Sequence, residues 1–264
     1  KLLEQLGCTV IPLYCELAGS FPNHHPDPTV IENLVDLQRE VARHKADLGI
    51  AYDGDADRIG AVDENGRPIF GDELMVLYSR EILSRKPGAT IISEVKSSNR
   101  LYNDIAKHGG RPIMWKTGHS LIKAKMKEEK AELAGEMSGH MFFADRYYGY
   151  DDAIYASARL LELISRQKKP FSTLLADLPP AVSTPEIRVD CEDEIKFEVV
   201  AKVREDLSKK FKTIDIDGVR IETDRGWGLL RASNTQPVVV MRFEALTQAD
   251  LDNLRTIVEN AFQS

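Results

Sequence analysis

The sequence predicts an α/β protein that ends in a small α+β unit with an antiparallel sheet. Three observations lead there. Residues 71 to 165 alternate short apolar runs with segments of helical periodicity, which implies a mostly parallel sheet with helices on both faces. Residues 181 to 264 follow a different order: one strand, a long helix, three strands and a last helix. Between them, RQKKPFSTLLADLPPAVSTP holds four prolines and reads as a linker.

The elements are justified in order. LLEQLG reads as a helix end with its glycine stop. CTVIPLYC is an apolar run of strand length. SFPNHHPDPT is too rich in proline for helix or central strand, and its adjacent His24 and His25 belong to a rigid structural loop rather than a metal site. From Thr29 the apolar positions 31, 34, 35, 37 and 41 fall near helical spacing, with Thr29 and Glu32 placed for a capping box. ADLGIAY is a buried strand, and IGAVDENGRPIF is a strand, an Asn65-Gly66 hairpin turn and a strand. Helices GDELMVLYSREIL, SSNRLYNDIAKHG and GHSLIKAKMKEE then alternate with strands ATIISEV, RPIMWK and AELAGE. After an aromatic stretch, DDAIYASARLLELIS is helical. The last unit offers strand EIRVD, a helix over about 193 to 211, strands GVRIET, WGLLRAS and PVVVMRFEA, and helix TQADLDNLRTIVENAF.

The 264 residues are 42% hydrophobic and 29% charged, enough for about two globular domains. A net charge of −7 argues against a dedicated nucleic-acid binder but leaves room for local phosphate pockets. No run of 18 apolar residues occurs, so no membrane span is predicted. Cys8, Cys15 and Cys191 are odd in number and lack metal-ligand spacing, which points to a reduced, cytoplasmic setting. The chain opens in helical pattern without methionine, which suggests a longer parent.

The densest chemistry is DGDADR. Asp53, Asp55 and Asp57 repel one another unless a cation compensates them, and carboxylates at i, i+2 and i+4 of a loop converge on one divalent ion. The loop also ends a buried strand, where α/β sheets place ligands. A calcium loop of the EF-hand type fails, because its sixth position needs glycine and here it is Arg58. Three carboxylates leave the ion open, and Arg58 beside it completes a clamp for a phosphate oxygen. RASNTQP offers Arg231, Ser233, Asn234 and Thr235 in one turn, with Arg242 on the next strand, as a phosphate cradle or a self-satisfied turn. GEMSGH sets Glu136, Ser138 and His140 between glycines, with acceptors for vicinal sugar hydroxyls and a proton carrier. KTGHS puts His119 at a strand-to-helix junction, where anions are attracted, and Lys96 ends a strand in the same relative place.

Taken together, DGDADR, EVKSSNRL, KTGHSLIK, GEMSGH, RASNTQP and NHHPDP resemble the α-D-phosphohexomutases, in the right order over the whole chain. GEMSGH is similar to the loop of the phosphomannomutase/phosphoglucomutase type; phosphoglucosamine mutases usually differ at the Met137 position. The resemblance implies two phosphoglucomutase-type mixed α/β/α domains, the first incomplete, and then the α+β unit. Residues 1–67 would be the later part of domain 2 with the metal loop, 68–179 domain 3 with the sugar loop, and 180–264 domain 4 with the phosphate loop. It implies Mg2+ on Asp53, Asp55 and Asp57, and Arg58, Lys96, His119 and His140 around the transferring group. Glu136 and Ser138 would hold sugar hydroxyls, and Arg231, Ser233, Asn234, Thr235 and Arg242 the idle phosphate. The implied activity interconverts hexose 1- and 6-phosphates, of mannose or glucose, through a phosphoserine and a hexose 1,6-bisphosphate. The family's serine lies in a Thr-Ala-Ser-His-Asn-Pro-like loop of domain 1, which does not occur in these residues, so the chain alone is expected to be inactive. A non-catalytic sugar-phosphate-binding module and a phosphoglucosamine mutase are the alternative readings.

Overall fold

The computed structural model describes residues 1–16 and 18–263. The chain packs as two compact units: Lys1–Ser93, Asn99–Ile113 and His119–Asp177 form the first, and Glu94–Ser98, Met114–Gly118 and Leu178–Ser264 the second.

In the first unit, helix α1 (Leu2–Gln5) is followed by Gly7 at φ 92°. The run CTVIPLYC, expected as a strand, is irregular, and Val10 and Ile11 are exposed. A strand needs a neighbour for its N–H and C=O groups, and among the described residues no strand pairs with this run. The helix expected from Thr29 begins as a 3-10 turn, Ile31–Leu34, before α2 (Val35–His44). Thr29 caps nothing; its hydroxyl and N–H donate to Asp27 Oδ1 at 2.7 and 2.9 Å, so the expected capping box does not form.

Strands β1 (Leu48–Tyr52), β2 (Ile59–Asp63) and β3 (Pro68–Ile69) form an antiparallel sheet in that order. The hairpin tip is local chemistry: Asp63 Oδ1 accepts the N–H groups of Asn65 and Arg67, both at 2.9 Å, and Gly66 takes φ 84°. Helix α3 (Gly71–Arg85) is buried on almost every side, which its apolar run Leu74–Leu77 requires.

Then follow β4 (Thr90–Glu94), α4 (Asn99–Lys107), β5 (Arg111–Trp115), α5 (His119–Glu129), β6 (Leu133–Gly135), β7 (Met141–Phe143) and α6 (Ala153–Ser165). The sheet order is β5-β4-β6-β7, with β4 and β6 parallel and β7 an antiparallel edge made from the aromatic stretch. Asp152 caps α6, its Oδ1 accepting the Tyr155 N–H at 2.8 Å.

The proline-rich stretch is not all linker. Its Phe171–Leu175 segment is a 3-10 turn that buries Phe171 and Leu175 in the first unit, and Ser172 N donates to Glu64 Oε2 at 3.0 Å. The apolar pair outweighs the local bias of the prolines.

The second unit adds β8 (Val182–Ser183), β9 (Ile187–Asp190), α7 (Lys196–Ser208), β10 (Lys212–Ile214), β11 (Val219–Thr223), β12 (Gly226–Ala232), β13 (Val238–Ala245) and α8 (Gln248–Gln263). Helix α7 is shorter than the 193–211 expected. The sheet is antiparallel, β10-β11-β12-β13-β8, with β9 also on β13. Its two faces differ. Val219, Ile221, Leu230, Met241 and Phe243 share one core with Leu207 and Val258 of the helices. The opposite face carries two cross-strand rows, Arg220-Leu229-Arg242 and Glu222-Trp227-Glu244.

Candidate functional site

The acidic loop folds around Asp53, which follows β1. Asp53 Oδ1 accepts the N–H groups of Asp57 and Arg58, both at 3.1 Å, and Oδ2 accepts from Arg58 Nε at 2.7 Å. Burial pushes the Asp53 carboxyl up, but Arg58 and the loop N–H groups outweigh it and hold it below the usual range. Asp57 goes the other way. Burial first, then the adjacent Asp53 carboxylate and the charges of Asp55 and Asp151, push it up to about 7.

Carboxylate oxygens of Asp53, Asp55 and Asp57 lie within 4.8 Å of one another, and Asp57 Oδ1 is buried without a hydrogen-bond partner. Hard oxygen donors that converge this way, one of them a carboxyl whose pKa is raised by burial and by its neighbours' charge, fit Mg2+. A proton and the cation then compete for Asp57. Mg2+ affinity is expected to rise about tenfold from pH 6 to pH 8, because a carboxyl of pKa about 7 goes from mostly protonated to mostly ionised. Calorimetric titration at both pH values checks this, and a flat profile would refute it. The sign for stability is opposite. The folded pKa of Asp57 is raised, so in metal-free protein its contribution is full below about pH 4 and is lost as pH rises through about 7.

The loop GEMSGH is joined to this centre through backbone. Arg58 and His140 form an antiparallel bridge, and Ile59 N donates to Gly139 O at 3.0 Å. Gly139 has φ 99°, and a Cβ there would lie 2.3 Å from Ile59 O, so this approach needs glycine. Gly71, at the start of α3, likewise abuts Glu136 O, 2.2 Å from where a Cβ would sit. Glu136 is 5% exposed, and Ser138 Oγ lies at the limit of hydrogen bonding to its Oε2, 3.5 Å.

His140 stacks on His119 with ring centroids 5.9 Å apart and on Phe142 at 6.1 Å. Its Nδ1 sits 3.2 Å from Asp151 Oδ2 and 3.7 Å from Asp57 Oδ2, and makes a hydrogen bond to neither. Burial lowers the His140 pKa, against the pull of Asp151. Lys123 Nζ pairs with Asp151 Oδ1 at 3.1 Å. The first unit thus brings together Asp53, Asp55, Asp57, Arg58, His119, Glu136, Ser138 and His140. Sequence reasoning missed Asp151 and also Asp27, whose Oδ2 lies 3.4 Å from Arg58 Nη1. NHHPDP does carry Asp27, but nothing in the pattern links it to an arginine 31 positions on.

The second unit holds the other predicted residues. Arg231 is 5% exposed and its Nε donates to Asp217 Oδ2 at 2.9 Å. The same oxygen accepts the Thr117 N–H at 3.0 Å, so one unforeseen aspartate ties the KTGHS turn to the phosphate-loop arginine. Thr117 Oγ1 is buried without a hydrogen-bond partner. In RASNTQP, Ser233 Oγ accepts the N–H groups of Thr235 and Gln236 at 3.3 and 3.2 Å, while Asn234 and Thr235 stay exposed. These two bonds shape the turn and leave Asn234 and Thr235 at the surface. Arg242 lies apart from that turn, its Nη1 donating to the Lys96 carbonyl. Lys96 Nζ pairs with Glu186 Oε2 at 3.0 Å and lies 3.5 Å from Glu94 Oε1.

Comparison with known proteins agrees with this architecture. The phosphoglucomutase/phosphomannomutase models match as alpha/beta/alpha domain II over residues 1–66, alpha/beta/alpha domain III over 70–182 and the C-terminal domain over 186–261. The chain belongs to the phosphoglucomutase/phosphomannomutase family. A phosphomannomutase/phosphoglucomutase of Pseudomonas aeruginosa is 49% identical over 100% of the chain and 57% of its own length. A phosphoglucomutase of Neisseria gonorrhoeae is 45% identical over 100% of the chain and 58% of its own. The crystal structure of a phosphoglucomutase/phosphomannomutase family protein from Burkholderia thailandensis is 46% identical, with TM-score 0.92 over 99% of the chain and 56% of that protein. The chain thus spans a little over half the length of these relatives. Among the described residues, no helix is long and apolar enough to cross a membrane.

Proposed function

We propose that this chain is the metal-, sugar- and phosphate-binding part of a phosphomannomutase/phosphoglucomutase. The observation that carries the reading is the backbone bridge from Arg58 to His140, which sets the carboxylate trio beside the glycine-flanked polar loop. The relatives' names support the substrates, mannose or glucose phosphates. The family division would place domain 2 at 1–67, domain 3 at 68–179 and domain 4 at 180–264.

In the proposed reaction a phosphoserine, supplied by a part of the protein outside these residues, gives its phosphoryl group to one hydroxyl of a hexose monophosphate. The 1,6-bisphosphate turns over and returns its other phosphate to the serine, which restores the enzyme. Asp53, Asp55 and Asp57 would hold Mg2+, which supplies positive charge against the serine phosphate. Arg58 offers a guanidinium to the transferring group. His140, kept largely neutral by burial, can accept a proton and pass it on. His119 adds a donor there, and the family resemblance assigns Lys96, of the second unit, as a further cation for phosphate. Arg231, with Ser233, Asn234 and Thr235, holds the idle phosphate, and Asp217 aims the Arg231 fork. Arg242 is assigned to the same phosphate by the resemblance, and it also donates to the Lys96 carbonyl. The cytoplasmic setting is part of the same proposal and rests on the unbridged cysteines.

Glu136→Gln in the full-length protein is the direct test. The buried carboxylate is assigned to two sugar hydroxyls, so kcat/KM for glucose and mannose 1-phosphates is expected to fall roughly tenfold or more. Binding of inorganic phosphate stays unchanged. Equal losses for sugar phosphates and phosphate would remove Glu136 from sugar recognition.

A further inference from the structure

We infer that Arg220, stacked on Trp227, is a positioning residue that sets the place of Lys96. The inference rests on the mutase reading for its kinetic consequences, but its structural part stands alone.

Lys96 lies in the turn that follows β4, closed by Ser97 N donating to Glu94 O at 2.9 Å. The carbonyls of Val95, Lys96 and Ser97 all accept from arginines. Arg220 Nη1 donates to Val95 O at 2.5 Å and to Ser97 O at 2.9 Å, and Arg242 Nη1 donates to Lys96 O. Both arginines stand in one cross-strand row with Leu229. Two guanidiniums therefore grip three consecutive peptide oxygens, which pins the backbone under the Lys96 side chain in a way that one hydrogen bond could not.

Arg220 is itself fixed from several sides. It is 0% exposed, its guanidinium carbon lies 3.7 Å from the Trp227 ring centroid, and Nε donates to Glu222 Oε1 at 2.8 Å. Trp227 Nε1 in turn donates to Glu244 Oε1 at 3.0 Å. Burying a guanidinium is costly unless it is fully engaged, and a hydrophobic residue would fill the same space against Val95 and Leu229. What an aliphatic side chain cannot supply is the fork that holds two carbonyls at once. Glu94 and Glu186 then direct the ammonium. The Lys96 segment, although it ends a strand of the β4 sheet, packs as part of the second unit.

The experiment uses Arg220→Lys, which keeps charge and bulk but loses the fork, in the full-length protein. A misplaced Lys96 is expected to lower kcat roughly tenfold to a hundredfold with KM nearly unchanged. In a Lys96→Met background the same substitution is expected to cost nothing further, since its effect runs through Lys96. An undiminished loss in that background, or an unchanged kcat, would overturn the inference. If the wild type shows no mutase turnover, the functional reading fails and the positioning is judged on this chain by a second readout. Reductive 13C-methylation and NMR report the Lys96 ammonium; its resonance is expected to shift in Arg220→Lys, and an unshifted signal would overturn the proposal. Urea unfolding of each variant identifies a loss that is merely global.

Discussion

A protein of these 264 residues is expected to bind a hexose phosphate weakly and to interconvert none of it, even with Mg2+ and a hexose 1,6-bisphosphate present. Binding and turnover separate because they need different groups. The groups proposed for binding, Arg231, the Ser233 turn, Glu136 and the carboxylate trio, all belong to this chain. The phosphoryl donor is not, since no Thr-Ala-Ser-His-Asn-Pro-like loop occurs in the sequence. Positioning and charge stabilise a transferring phosphoryl group, but without a phosphoserine there is nothing to transfer. The candidate serines are committed elsewhere. Ser233 Oγ accepts two backbone N–H groups, and Ser138 Oγ leans toward the Glu136 carboxylate. A coupled assay of glucose 6-phosphate formation measures this on protein of verified mass. Any turnover above background would mean that a residue read as a binder is the nucleophile.

Asp145→Ala is expected to destabilise the first unit by about 3–5 kcal/mol, the cost of stranding buried charge. The Asp145 side chain is 0% exposed, and Oδ2 accepts from Arg85 Nη2 at 2.8 Å and Arg159 Nη2 at 2.9 Å. Lys86 Nζ lies 3.1 Å from Oδ1. Burial pushes this carboxyl up, but the bonds from Arg85 and Lys86 and the charge of Arg159 outweigh it and hold it well below the usual range. Without it, Arg159, only 5% exposed, loses a main partner and keeps Glu81 at 2.8 Å. The pH dependence follows from the depressed pKa. The contribution of Asp145 is full above about pH 4 and is lost as pH falls toward its folded value. Urea unfolding at pH 7 and pH 3 tests both parts. A loss under about 1 kcal/mol at pH 7 would show that Asp145 carries none of the stability assigned to a buried ion cluster.

The sequence by itself determined the α/β order, the hairpin at Asn65-Gly66 and the convergence of the three carboxylates. Each depends on residues a few positions apart: a 3.6-residue period, an Asx turn, or three like charges that need one cation. The tertiary structure decided the remainder, because those features join residues with no local signature of their partner. CTVIPLYC has strand composition, yet a strand exists only beside another, and here it has none among the described residues. Thr29 looked like a cap until Asp27 took its hydroxyl. Asp151, Asp217 and Arg220 read as ordinary surface charges in the chain. Folding brings them to His140, Arg231 and the Lys96 turn, across 11 to 125 positions, where burial strengthens each contact and makes an unmatched charge costly.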